Sequence, residues 1–167
     1  MLPIPEFVRP VAKKVIGLPG RYIPYALQKR VLSMVLNQAF REPLRHGELE
    51  FLADAKVRIR VTDLCIDWLI RVGSDEFTPL ERTLKDDVCI SGESVDFVLL
   101  ATRQADPDTL FFQRRIRIEG DTELGLGIKN TMDSMDWDDL PLPLRRLLQG
   151  ISLVIEKLQK LNFAPGL

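Results

Sequence analysis

The chain has 167 residues, of which 46% are hydrophobic and 28% are charged. This composition is typical of one folded domain with a sizeable core, and it excludes a disordered or low-complexity polymer. The net charge of −1 gives the whole molecule no electrostatic basis for holding nucleic acid. The charge is unevenly distributed, however, because residues 1–46 contain eight basic and two acidic side chains, so a basic N-terminal part precedes an acidic body.

The first 23 residues predict a basic, amphipathic N-terminal arm. Within it, the segment VAKKVIGL (11–18) allows a short helix with an apolar face from which Lys13 and Lys14 are displaced. A helix of this length is unstable alone in water. It therefore either packs on the rest of the protein or docks on a membrane, where Lys13, Lys14 and Arg21 would contact anionic head groups.

No segment of the chain predicts a membrane-spanning helix or a secretory signal, because long uncharged apolar runs are missing and four prolines interrupt the first 20 residues. The two cysteines, Cys65 and Cys89, do not have the spacing of a metal site or a redox motif. We therefore expect a cytoplasmic protein, peripheral to the inner membrane at most, with buried or idle thiols.

The body of the protein begins with a predicted helix from Pro24 to about Arg45. Apolar residues recur there at steps of three and four, and polar and basic residues share the opposite face. Pro24 suits the first turn of a helix, and Gly47 suits the position after its end. The predicted apolar face consists of Leu27, Val31, Leu32, Val35, Leu36, Ala39 and Phe40.

Two segments, 57–61 and 66–72, then alternate apolar and charged residues with the period of two that is typical of strands buried on one face. Thr62-Asp63 is turn chemistry between them, so the pair predicts a meander. Shorter strands are predicted at Leu49–Leu52 and Val88–Ser91.

A helix is predicted from Ser94 to Arg103, and Asp106-Pro107-Asp108 then predicts a turn of the chain. The apolar residues that follow predict a last strand, which Gly120 ends. They are Phe111, Phe112, Ile116 and Ile118.

Two more helices complete the chain. Asp121 can cap the first, whose apolar stripe is Leu124, Ile128, Met132 and Met135. The second, from Leu144 to Leu161, has nearly perfect helical spacing of its apolar residues. The order of elements predicts an α+β fold with a mostly antiparallel sheet and helices on one side.

Reactive side chains are too sparse to predict an enzyme. The single histidine, His46, precedes a glycine that ends a helix and is expected to be an exposed cap. Motifs for a nucleophile with its base, a metal site or a phosphate loop are missing. Gly125 and Gly127 lie inside a predicted helix, where glycine is costly, so either a neighbouring element or a ligand is expected to approach that face closely. We predict no catalytic residues, no metal and no cofactor.

The five acidic residues in 106–123 are expected to form turns and to cap helices. Turn formation and helix capping account for them more simply than metal binding does: Asp106, Asp108, Glu119, Asp121 and Glu123. The acidic segment 133–139, which surrounds Trp137, is either a solvated loop or a docking surface for a basic partner.

Eight apolar residues are the candidates for lipid binding, because they fall on predicted inward faces. They are either ordinary core or the lining of a cavity for an apolar ligand, and the pattern alone leaves both open. Burying about 400 Å² of a lipid tail would contribute roughly 10 kcal/mol before the costs of association. The candidates are Trp68, Ile70, Phe97, Phe111, Phe112, Leu124, Ile128 and Met132.

A resemblance to a known family extends this reading. The segment 106–133, DPDTLFFQRRIRIEGDTELGLGIKNTMD, resembles the most characteristic part of the sterol carrier protein (type two) family, with its phenylalanine pair, basic strand, Gly-Asp turn and helix rich in Gly and Leu. Residues 21–161 are most similar to a bacterial branch that assists oxygen-independent ubiquinone biosynthesis, as GELEFLADA at 47–55 indicates. Arg114 stands where many eukaryotic members have glycine, and the chain ends in PGL rather than a peroxisomal address.

The resemblance implies a five-stranded sheet and a helical layer that enclose a hydrophobic tunnel, within a lipid-binding domain at 24–161 followed by a tail at 162–167. It implies an accessory factor that binds polyprenylated quinone intermediates, their precursors or a phospholipid. The hydroxylases UbiU and UbiV would be its partners, and this chain would present the lipid to them without performing the chemistry. The alternative is a protein-interaction scaffold for these enzymes with a solid core.

Overall fold

The structure, a computed structural model, describes residues 24–134 and, beyond them, the helical residues Leu142, Arg145, Arg146, Gln149, Gly150 and Leu153. In chain order the elements are α1 (Tyr25–Ala39), α2 (Arg41–Arg45), a 3₁₀ turn (Glu50–Leu52), β1 (Lys56–Val61), β2 (Ile66–Val72), β3 (Phe77–Leu80), β4 (Val88–Gly92), α3 (Ser94–Ala101), α4 (Pro107–Phe112), β5 (Ile116–Gly120) and α5 (Thr122–Ser134).

The five strands form one sheet in the order β3-β2-β1-β4-β5. β1 and β4 are parallel, and the other neighbouring pairs are antiparallel. The α+β fold with a mostly antiparallel, five-stranded sheet is therefore confirmed. β3 was not predicted. It is a four-residue edge strand that contains Pro79, and a proline is well tolerated only in an edge strand.

The register separates the two faces of the sheet clearly. We call the face that carries Val57, Ile59 and Val61 the helix-side face, because the side chains of α1 and α5 pack on it. Arg58 and Arg60 lie on the opposite face. The alternation predicted for 57–61 and 66–72 is confirmed by this register.

The predicted single helix from Pro24 to Arg45 is wrong in two respects. It breaks at Phe40, because Pro43 cannot donate a hydrogen bond to the Ala39 carbonyl and its ring would clash with that carbonyl. The helix is also rotated from its predicted orientation, since Leu27 is 53% exposed whereas Gln28 is 6% exposed. Gln28 is accepted inside because its Oε1 atom receives a hydrogen bond from Trp68 Nε1.

Two predicted strands are corrected by the structure. Leu49–Leu52 forms a turn and a 3₁₀ turn, with Leu49 and Leu52 buried in the core. Phe111 and Phe112 belong to α4, so the last strand begins only at Ile116. The predicted turn at Asp106 is the start of this helix, because the Asp106 carboxylate accepts the Thr109 N–H and Pro107 occupies the first helical position.

Other local predictions are confirmed. The helix predicted from Ser94 is α3, and the Asp121 carboxylate accepts the backbone N–H groups of Glu123 and Leu124 at the start of α5. His46 is the exposed residue that caps α2. The N-terminal arm, Met135 and most of the predicted helix from Leu144 to Leu161 lie outside the described residues.

Candidate lipid-binding site

The helix-side face of the sheet is covered unevenly along its strands. At one end, Val57, Ile70, Val72 and Val88 are buried, and they share one continuous core with Leu49, Leu52 and Ala55 of the preceding segment. We call this the covered end. Its side chains leave at most 7% of their surface exposed, so this part of the interior is solid protein.

In the middle of the same face, several apolar side chains are half-buried, whereas Val61 and Ile116 at the far end are buried again, with 7% and 1% of their surface exposed. A row crosses four strands from Trp68 through Ile59 and Ile90 to Ile118, and only Ile90 is fully buried. Half-buried apolar residues of neighbouring elements border the row. We call the half-buried set the open band, and it consists of Ile59, Ile66, Trp68, Phe97, Ile118 and Leu124.

The eight predicted lipid-binding residues divide into three groups. Ile70 and Ile128 are buried in the core. The half-buried ones pack against it, and three of them, Trp68, Phe97 and Leu124, belong to the open band, whereas Phe111 and Met132 lie outside it. Phe112 was predicted to face inward, which is wrong, because it is the last residue of α4 and is 86% exposed. Ile59, Ile66 and Ile118 are site residues that were not predicted. Their alternation with polar residues indicates one sheet face, but only the strand order brings them together.

A small polar group borders the open band on the side of α1. Trp68 Nε1 donates to Gln28 Oε1 at 3.0 Å, and Arg82 Nη2 lies 3.4 Å from the same oxygen. The Arg82 guanidinium stacks 4.0 Å from the centre of the Tyr25 ring, and the Tyr25 hydroxyl donates to the Leu80 carbonyl. Arg82 Nε is buried and has no hydrogen-bond acceptor among the described residues. We call these four residues, Tyr25, Gln28, Trp68 and Arg82, the Arg82 cluster.

The opposite face is closed at its centre by a buried arginine. Arg58, which is 6% exposed, donates to Asp86 and Asp67 at 2.8 Å each. It also donates to the carbonyls of Arg82 and Leu84, which fixes the loop 81–87 beneath the sheet. Burial alone would raise the pKa of Asp86, but the hydrogen bond and charge of Arg58 outweigh it and hold this pKa below its usual value.

The two glycines of α5 are explained by neighbouring protein atoms. A Cβ atom at Gly127 would lie 2.1 Å from the Phe51 ring, and one at Gly125 would lie 2.8 Å from Ile118 Cγ2. Of the two alternatives left by the sequence, close approach of a neighbouring element therefore accounts for both positions. A ligand is not needed to explain them.

Two open clefts lie elsewhere on the surface. One, of about 390 Å³, is lined by polar residues that include Arg114, Arg117 and the buried pair of Asp96 and Arg115. The other, of about 560 Å³, lies between α1, α2 and the turn at Ser74. Neither cleft is lined by a predicted lipid-binding residue, so the predicted hydrophobic tunnel stays a prediction.

Residues 24–134 and the few described beyond them have no group of three or more His, Cys, Asp or Glu side chains that could hold a metal ion. They also have no helix long and apolar enough to cross a membrane. Cys65 is exposed, whereas Cys89 is buried, and burial raises the pKa of its thiol. Lys13, Lys14 and Arg21 lie outside the described residues.

The α+β fold with its five-stranded sheet is the architecture of a known family of domains. The chain belongs to the SCP-2 sterol transfer family, whose model matches residues 35–133, which is more than half of the sequence. The solved structure of "UbiJ-SCP2 Ubiquinone synthesis protein" aligns over 68% of this chain and 100% of its own, with a TM-score of 0.56. At 16% identity this likeness concerns the fold alone.

Within the family, the chain is similar to one named group of bacterial proteins. It is 39% identical over 142 residues to the ubiquinone biosynthesis accessory factor UbiT of Escherichia coli K12. The alignment covers 85% of this chain and 81% of that protein, and UbiT of E. coli O157:H7 matches equally well.

Proposed function

We propose that this protein is a non-catalytic, lipid-binding accessory factor of ubiquinone biosynthesis. The observation that carries the proposal is the open band, a half-buried apolar surface on the sheet of a protein that belongs to the SCP-2 sterol transfer family. The 39% identity to UbiT over most of both chains supports the assignment to the ubiquinone pathway.

The bound lipid is a polyprenyl quinone intermediate, one of its precursors or a phospholipid. Apolar surface gains roughly 25 cal/mol for each Å² removed from water, so a long tail is held by area rather than by specific bonds. The residues of the open band supply this area on the protein side. Such binding needs no nucleophile and no base, which agrees with the proposed non-catalytic role.

The protein presents the lipid to hydroxylases that work without oxygen, with UbiU and UbiV as the proposed partners. A polyprenyl tail is insoluble in water, and a carrier that covers the tail allows a water-soluble enzyme to reach the head group. Loading occurs at the inner membrane surface, where Lys13, Lys14 and Arg21 contribute about 1 kcal/mol each through attraction to anionic lipids.

Organic extraction of gently purified protein, followed by mass spectrometry, tests the proposal. We expect a polyprenyl quinone, a precursor or a phospholipid in stoichiometric amounts. Recovery of no lipid, together with retained binding of UbiU and UbiV, would instead support the scaffold with a solid core.

A matched pair of variants localises the lipid. Ile59→Thr keeps a β-branched residue in the strand but places a hydroxyl in the open band, so we expect less extracted lipid. Val31→Thr makes the same kind of change at an exposed position of α1, and it should leave the lipid unchanged. Equal lipid in both variants would contradict the location of the site.

A further inference from the structure

The Arg82 cluster joins a polar group to the apolar surface of the open band. Trp68 belongs to both, because its ring lies in the row that crosses the sheet and its Nε1–H is hydrogen-bonded to Gln28. The row continues from Trp68 across three further strands, a distance of about 14 Å at the usual strand spacing. A ligand with one polar end and one apolar end would match this arrangement.

Arg82 is held in place from two sides. Its carbonyl oxygen accepts hydrogen bonds from Arg58 Nη1 and Nη2, both at 3.2 Å, so the backbone is fixed by the buried arginine of the opposite face. Its guanidinium stacks on the Tyr25 ring and lies 3.4 Å from Gln28 Oε1. The side chain is therefore positioned before any ligand arrives, which lowers the cost of binding.

The guanidinium nevertheless has an unused donor. Arg82 Nε is buried and lacks an acceptor in the described part of the chain, and its Nη2 contact to Gln28 is long and shared with Trp68. Buried N–H groups in folded proteins almost always have acceptors, so an isolated one requires an explanation. A ligand oxygen would supply the missing acceptor.

We propose that the Arg82 cluster recognises the head group of the lipid, and that this head group is an oxygenated aromatic or quinone ring. In this arrangement Arg82 donates to a ring oxygen, the ring packs beside Trp68, and the apolar tail follows the row toward Ile118. Flat arginine and aromatic side chains suit a planar ring, because all three can stack face to face. The inference rests on the proposed function, since it concerns the head group of the lipid held by the open band.

The test compares two soluble probes that differ in the ring. Ubiquinone-1 has a quinone ring and one isoprenoid unit, whereas farnesol has an isoprenoid tail and no ring. The sequence contains two tryptophans, so the full chain with Trp137→Phe leaves Trp68 as the single tryptophan, which is excited selectively at wavelengths that tyrosine does not absorb. Quenching of the Trp68 fluorescence measures the binding of ubiquinone-1, and displacement of a fluorescent fatty acid measures the binding of farnesol.

Arg82→Met keeps an unbranched side chain but removes every donor, and Arg71→Met makes the same change at an exposed position of the opposite face. We expect Arg82→Met to weaken the binding of ubiquinone-1 about tenfold, which corresponds to about 1.4 kcal/mol, and to change the affinity for farnesol less than about twofold. Arg71→Met should leave the affinity for both probes unchanged.

The outcomes separate this inference from the proposed function. If Arg82→Met leaves ubiquinone-1 binding unchanged, or weakens both probes equally, the head-group inference is overturned while lipid binding stands. If neither probe binds the unmodified protein, the proposed function itself fails. Should Arg82→Met not fold, Arg82→Lys and the Nε–Hε NMR signal of Arg82 carry the test. That signal should shift with ubiquinone-1 and stay in place with farnesol.

Discussion

The two faces of the sheet differ in how their side chains are shielded from water. On the opposite face, a buried charge is completely enclosed, because Arg58 makes five hydrogen bonds that tie the loop 81–87 to the sheet. On the helix-side face, apolar residues are fully covered at one end, whereas the row through Trp68, Ile59 and Ile118 is half-buried. One face is therefore closed by specific polar geometry, and the other is left open along an apolar row.

This difference separates the residues that hold the fold from those available to a ligand. A buried ion pair with defined partners is intolerant of change, because removal of one member leaves the others desolvated and unpaired. Half-buried apolar residues contribute less to folding than buried ones, and they can still bury more surface against a ligand. Changes on the opposite face should therefore alter stability, and changes in the open band should alter binding.

The largest expected effect comes from Arg58→Met on the opposite face. The change leaves Asp86 without its ion-pair partner, leaves Asp67 with only the more distant Arg60, and frees the loop 81–87, so we expect the free energy of unfolding to fall by about 3 kcal/mol. Urea unfolding followed by circular dichroism measures the loss. Arg71→Met, an exposed control, should change stability by less than about 0.5 kcal/mol. Similar losses in both variants would show that the Arg58 contacts contribute no more to stability than an exposed arginine does.

The next effect compares the covered end of the helix-side face with the open band. Ile70→Ala at the covered end should cost about 3 kcal/mol, because the residue is 2% exposed and the cavity cannot collapse completely. Ile118→Ala in the open band should cost about 1 kcal/mol, since the side chain is only half-buried. The same urea experiment gives both values, and lipid content should follow the opposite order. Equal losses of stability in the two variants would remove the distinction between the covered end and the open band.

A smaller effect tests whether protein atoms fill the space beside the α5 glycines. Gly127→Ala should gain about 1 kcal/mol of helix propensity, but its Cβ atom would collide with the Phe51 ring. We therefore expect the change to destabilise the unmodified protein and to stabilise the Phe51→Ala variant by about 1 kcal/mol. A double-mutant cycle measures this reversal of sign. The same effect in both backgrounds would mean that Phe51 does not occupy this space.

Much of the fold could be predicted because its signals are local. The alternation at 57–61 identified a strand and its buried side, and Asp121 and Gly120 marked the junction between β5 and α5. Phe111 and Phe112 were misassigned because a short apolar run fits a strand or a helix equally well. The four-residue strand β3 has too few residues to show a period, and the number of strands came from the family resemblance.

The polar border of the candidate site could not be predicted in this way. Gln28 is hydrogen-bonded to Trp68, 40 residues later, and it contacts Arg82, 54 residues later. These contacts depend on how α1 is rotated about its axis, and the predicted rotation placed Leu27 inward instead of Gln28. Hydrophobic periodicity counts only apolar residues, so it cannot identify a glutamine that is buried because its side chain is hydrogen-bonded.

The smallest expected effect is an acid-dependent loss of stability on the opposite face. The pKa of Asp86 lies below its usual value of 3.8, because Arg58 outweighs the effect of burial. Since the folded protein binds this proton less readily than the unfolded chain, the contribution is complete above the usual value and is lost as pH falls through the lower, folded value. The free energy of unfolding should therefore fall below about pH 4, and it should fall less steeply in Asp86→Asn, which cannot titrate at this position.

Val31→Thr, with the ion pairs intact, is the control and should show the same pH dependence as the unmodified protein. If Asp86→Asn keeps it as well, other carboxylates dominate the acid response, and the closure of this face does not depend on the charge of Asp86.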